Sequence, residues 1–144
     1  STWAKEKAKE NGGVIISRDE IRFSLLDRES GYFDKEKQVY KTFVDKINKA
    51  IKENKCDIYI DATHLTENSR KKIIDRLQME HKEKIIPVRF FLPLEDCLER
   101  NLKRRGLARV PDEVIGRMYK NITDPINDTF IKYKKIIYVG EKHG

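Results

Sequence analysis

Four short runs of β-type residues, at 14–16, 56–61, 85–92 and about 135–139, alternate along the chain with segments of helical periodicity. Strands separated by helices of ten or more residues pair in parallel through right-handed crossovers. This alternation confines the chain to the α/β class, built on a mainly parallel sheet with helices packed against it. At 144 residues, with no repeat, low-complexity tract or linker, one domain is expected.

The helices are legible from their spacing. Thr2 to about Asn11 is rich in Ala, Lys and Glu and stops at Gly12-Gly13, ahead of the strand at 14–16. Ser17 and Glu20 have capping-box spacing, so a short helix should follow that strand. Residues 27–34 read as a polar surface loop around Gly31. Val39, Phe43, Ile47, Ala50 and Ile51 then form one apolar stripe with lysines on the opposite face. Thr66 should cap a helix through about His81, with Ile73, Ile74 and Leu77 inward. Pro93 opens another through about Arg105, ended by Gly106, and a further helix carries Val114, Ile115, Met118, Tyr119 and Ile122 until Asp124-Pro125. Pro87 argues for an edge or an irregular start to its strand.

Composition excludes some roles. No apolar run approaches the about 20 residues of a membrane span, and the first ten residues lack the apolar core of a signal peptide, so a cytoplasmic location is expected. Cys56 and Cys97 lie beside apolar residues without CxxC or Cys/His spacing, which predicts buried free thiols rather than a disulfide or zinc site. The 31 Lys+Arg against 24 Asp+Glu leave a formal charge of +7, which suits nucleotides or nucleic acid and equally suits solvated helix faces.

Four segments carry candidate chemistry. Ser1-Thr2 opens a helix without a preceding strand; if Gly-Lys stood just before it, the junction would complete a GxxxxGK(S/T) phosphate loop at a helix N-terminus. The alternative is an ordinary capped helix. In SRDEIR, residues 17–22, Asp19 and Arg22 follow directly on a strand, where parallel α/β sheets bind ligands. A carboxylate there can take a hydroxyl proton and an arginine one turn later can hold an acceptor phosphate; the alternative is an i,i+3 ion pair. Asp61 ends the strand 56–61 as a Walker B acid would, able to orient magnesium, with His64 a polar neighbour or a structural group. Arg100 and Arg104 share a helical face and either clamp phosphates or belong to a solvated basic helix.

In order and spacing, STWA, SRDEIR, IDATHL, LERNLKRRG and VPDEVIGRMYKN resemble the P-loop kinase domain of polynucleotide 5′-hydroxyl kinases and the small kinases around them, including zeta-toxin relatives. The resemblance covers essentially residues 1–144 and implies a three-layer P-loop NTPase fold with a helical lid at about 94–122. It implies ATP and Mg2+, with Ser1 and Thr2 at the phosphate loop and Ser1 and Asp61 near the metal. By the same resemblance Asp19 is the general base, Arg22, Arg18 and His64 lie on the acceptor side, and Arg100 and Arg104 are lid arginines on the ATP phosphates. The family's phage member is closer to having its acid at the position of Ala62. The first strand, the loop glycines and the loop lysine are expected within roughly ten further residues upstream.

The function this implies is transfer of the ATP γ-phosphate to a hydroxyl, with nucleic acid 5′ ends as acceptor. A small-molecule or nucleotide-sugar kinase of the same fold, and a nucleotide-binding module without turnover, are the alternatives, because fold does not select the acceptor.

Overall fold

The structure, a computed structural model, describes residues 2–27, 29–103 and 110–140. Its elements run in chain order α1 (Thr2–Asn11), β1 (Val14–Ser17), α2 (Arg18–Leu25), α3 (Glu36–Glu53), β2 (Ile58–Asp61), α4 (Glu67–Ile74), β3 (Val88–Phe90), α5 (Leu94–Lys103), α6 (Asp112–Lys120) and β4 (Ile137–Val139). The alternation read from the sequence is therefore an α/β arrangement with parallel strands. Two compact units are formed, one from residues 1–63 with 75–80 and the other from 64–74 with 81–144.

In the first unit β1 pairs in parallel with β2, Val14 opposite Ile58 and Ser17 opposite Asp61. α1 packs on both strands, and Trp3 sits edge-on to Tyr59 at 6.1 Å between ring centroids. The turn from α1 into β1 requires a left-handed residue, supplied by Gly12 at φ 72°. Gly13 is needed for space: a Cβ there would lie 2.6 Å from the Tyr59 ring. The unit's core is the stripe of α3, whose Val39, Phe43 and Ile47 have no exposed surface. Burying each of these contributes about 1.5–3 kcal/mol. Ala50 and Ile51, at the same stripe's end, are only half-buried.

In the second unit β3 pairs in parallel with β4, Val88 opposite Ile137 and Phe90 opposite Val139. The two pairings are separate two-stranded sheets. The third run is shorter than its apolar stretch of 85–92. The carbonyl of Pro87 accepts from Ile137 N at 2.9 Å, so pairing begins at the proline's carbonyl and its missing N–H costs nothing. Buried Asn101 of α5 brackets Val110: its Oδ1 accepts from Val110 N at 2.9 Å and its Nδ2 donates to Val110 O. That amide fixes the end of α5 to the approach of α6.

Two expectations are corrected. The helix capped by Thr66 ends at Ile74, not near His81. Its cap forms as expected, Ser69 N donating to Thr66 Oγ1 at 3.1 Å. Beyond Ile74 the backbone is diverted by Asn48 of α3, which donates to Arg76 O at 3.0 Å and accepts from Gln78 N at 2.8 Å. Leu77 is still buried, but outside a helix. The cysteines are not buried either: Cys56 is exposed because β2 begins two residues later, and Cys97 is half-buried on α5. Among the described residues no helix is long and apolar enough to cross a membrane.

Candidate functional site

The tips of β1 and β2 coincide, since Ser17 and Asp61 are partners in the parallel register. Ligands of parallel α/β sheets lie at such carboxyl ends. Ser17 closes β1 and caps α2, its Oγ accepting from Glu20 N at 3.3 Å, so Asp19 falls in the first turn of α2 at the strand tip. An acid in that position is favoured by the exposed N–H groups of the helix start.

Asp19 does not stand alone. Its Oδ1 accepts from Arg22 Nη1 and from the Tyr32 hydroxyl, the latter at 2.7 Å. Arg22 Nε donates to Glu36 Oε1 at 2.7 Å, and Arg18 Nη2 donates to Glu36 Oε2 at 3.0 Å. Two arginines thus share one carboxylate at the start of α3, and one of them reaches back to Asp19. The Arg22 guanidinium lies 4.2 Å from the Tyr32 ring centroid, and that of Arg18 lies 5.2 Å from the Tyr40 ring. The side chains of Arg22 and Asp19 are 6% and 48% exposed, so the carboxylate is open to solvent while its cation is enclosed.

Burial works against the charge on Arg22, but the hydrogen bond to Glu36 and the fields of Tyr32, Glu36 and Asp19 outweigh it and raise its pKa above the ordinary value. The Tyr32 phenol is pushed far up, first by burial and then by its hydrogen bond to Asp19, so it remains a donor. The i,i+3 ion pair offered as an alternative for SRDEIR is present. Arg22 Nη1 also donates to the Tyr32 hydroxyl at 2.7 Å, so Arg22 could hold an anion only by exchanging Asp19, Tyr32 or Glu36 for it, or through Nη2.

The other candidates are distributed as follows. Thr2 begins α1 and is exposed. Asp61 is half-buried at the tip of β2. His64 belongs to the second unit, where its carbonyl accepts from Arg70 Nη1 at 3.0 Å, a structural bond. Arg100 is exposed on α5, also in the second unit. Ser1 and Arg104 lie outside the described residues. Asp19, Arg22 and Arg18 are brought together; for Arg100 with Arg104 no pairing is described.

Sequence reasoning missed Tyr32 and Glu36. Tyr32 sits inside the loop that reads as polar surface and Glu36 just beyond it, and the one signal was the aromatic pair Tyr32-Phe33. It also missed a second cluster. Arg70 of α4 makes a bidentate pair with Asp128, Nε to Oδ2 at 2.8 Å and Nη2 to Oδ1 at 2.7 Å, and Tyr133 donates to Asp128 Oδ2 at 2.7 Å.

As a donor set for magnesium, the first unit supplies the Asp61 carboxylate, a hard oxygen at the strand tip. Among the described residues no group of three or more His, Cys, Asp or Glu could hold a metal.

A helix packed across two parallel strands, with Ser17 and Asp61 opposite each other at the strand tips, is an α/β arrangement. The family described as AAA domain matches residues 1–125, and the chain belongs to that family of P-loop, kinase-like nucleotide-binding proteins. No curated protein sequence matches the chain.

Proposed function

We propose that this protein is an ATP-dependent phosphotransferase that moves the γ-phosphate to the 5′-hydroxyl of a polynucleotide, with Asp19 as the general base. The observation that carries this reading is the half-exposed Asp19 carboxylate in the helical turn that follows β1, whose last residue Ser17 pairs with Asp61, held by hydrogen bonds from Tyr32 and Arg22. In the reaction the acceptor hydroxyl oxygen forms a bond to the γ-phosphorus as the bond from that phosphorus to the β-phosphate bridging oxygen breaks. Asp19 takes the hydroxyl proton, and ADP leaves.

Tyr32 and Arg22 both bind Oδ1. This leaves Oδ2 as the oxygen that receives the proton and fixes the carboxylate's plane, which is what positioning contributes to such a step. Glu36 holds Arg22 and Arg18 as a pair of cations next to the base, a place where an acceptor phosphate would be attracted. Magnesium, when bound with the nucleotide at Ser1 and Asp61, would neutralise charge on the phosphates. Arg100 and Arg104 are proposed as the lid cations of the segment 94–122.

The test is incubation of the full-length protein with labelled ATP and 5′-hydroxyl oligonucleotides. Label transferred to the oligonucleotide by the natural protein and lost in Asp19→Ala supports the reading. Label transferred only to small hydroxyl compounds replaces the acceptor, and nucleotide binding without any transfer replaces the enzyme by a binding module.

A further inference from the structure

The loop that delivers Tyr32 to Asp19 also carries a second aromatic ring that the chemistry above does not use. Phe33 packs edge-to-face on Tyr32, centroids 4.6 Å apart at 83° between planes, and Phe23 of α2 meets the same tyrosine at 6.3 Å and 66°. Phe33 is 50% exposed and Phe23 38% exposed. A single exposed phenylalanine is unremarkable, but two on one half-buried tyrosine make a contiguous aromatic surface, and such surfaces mark contact sites.

Its position selects the occupant. The ring that joins the two phenylalanines ends in the hydroxyl bonded to Asp19 Oδ1 at 2.7 Å, so the surface begins one side chain away from the proposed base. An acceptor whose hydroxyl meets Asp19 must extend its remaining atoms over the neighbouring surface. In a 5′-terminal nucleotide the reacting hydroxyl and the base are held apart by one sugar, and every base offers a π-face to an aromatic ring. Arg22 lies against the same rings, 4.2 Å from the Tyr32 centroid and 5.9 Å from that of Phe33, so an enclosed cation paired with Asp19 and Glu36 holds the aromatic cluster to the Asp19 site. An aliphatic alcohol has no π-face to offer the two rings.

We propose that Phe33, with Phe23 beside it, is the stacking surface for the base of the acceptor's 5′-terminal nucleotide. This rests on the reading of the protein as a 5′-hydroxyl kinase and makes that site base-dependent but tolerant of base identity, since stacking engages no base edge.

The experiment compares the full-length protein with Phe33→Ala and Phe33→Trp on two acceptors: a 5′-hydroxyl oligonucleotide and the same strand with an abasic 5′-terminal residue. The natural protein should have a KM about tenfold lower for the strand that carries the base. Phe33→Ala should raise that KM to the abasic value with kcat little changed, and Phe33→Trp should restore the preference. Phe23→Ala, on the neighbouring ring, should give a smaller loss of the same kind. Equal KM values for the two acceptors with the natural protein, or a preference that survives in Phe33→Ala, overturn the proposal. If neither strand is phosphorylated, the kinase reading fails, and fluorescence anisotropy of the two labelled strands decides the surface separately. Weaker binding of the base-bearing strand to Phe33→Ala upholds it, and unchanged binding overturns it.

Discussion

The two units each contain an arginine, an aspartate and a tyrosine joined by hydrogen bonds, and they differ in what solvent can reach. In the second unit the side chain of Asp128 is wholly buried and that of Arg70 nearly so, at 0% and 7% exposure. Every partner there is internal: Asp128 twice, the His64 carbonyl and Thr123 Oγ1 at 2.8 Å for the arginine, and Tyr133 for the carboxylate. In the first unit the arginine is equally enclosed, but its aspartate is half open at a strand tip. The same three residue types therefore make a staple in one place and a poised carboxylate in the other. Burial of the acid decides between them, because a carboxylate with no exposed surface is out of a substrate's reach.

The largest effect that would separate the clusters is on stability. Asp128→Ala leaves the Arg70 charge buried and unpaired and should cost about 3–5 kcal/mol in urea unfolding. Asp19→Ala removes a half-exposed partner and should cost under about 1 kcal/mol. Equal losses would break the distinction. The tyrosines sharpen it on a smaller scale. Tyr133→Phe deletes a hydrogen bond to a buried carboxylate and should cost about 1.5–3 kcal/mol. Tyr32→Phe keeps the ring and should lose less stability than that, while lowering the phosphate-transfer rate because Oδ1 loses one of its two donors.

The smallest effect is on pH dependence. Burial, and then the hydrogen bond to its aspartate, raises the pKa of both Tyr32 and Tyr133. In the unfolded chain these phenols ionise near pH 10, whereas in the folded chain they keep their protons to higher pH. Above about pH 10 the unfolded state therefore binds fewer protons, and stability falls as pH rises. Unfolding free energy measured from pH 8 to pH 11 should decline over the upper part of that range. It should decline less steeply in Tyr133→Phe and in Tyr32→Phe, each of which removes one of the two groups.

How much of this the sequence carried follows the range of each interaction. Local signals were legible: the Ser17–Glu20 cap, the Asp19–Arg22 pair three residues apart, and the Val39, Phe43, Ile47 stripe all follow from helical periodicity. Contacts that need the chain to close on itself were not. Arg22 meets Glu36 at a separation of 14 residues across an irregular loop, and Arg70 meets Asp128 at 58. No spacing rule connects either pair. Asn48 is the instructive case, since an amide on the polar side of α3 takes the backbone groups that would have continued α4. The periodicity of Ile73, Ile74 and Leu77 was real, but a tertiary hydrogen bond overrode it. The tip of β2 was placed by Asp61, which ends it, whereas the short pairing of β3 with β4 depended on where Pro87 let the ladder begin.

The proposed function requires Asp19 to take part in the chemistry and leaves Asp128 a purely structural acid. Its most direct measurement is label transfer from ATP to a 5′-hydroxyl oligonucleotide by full-length Asp19→Asn, at a temperature where circular dichroism shows it folded. A rate lower than that of the natural protein by about 10²–10⁴-fold, with unfolding unchanged, is the predicted result. A folded Asp19→Asn that transfers phosphate at the natural rate would contradict it.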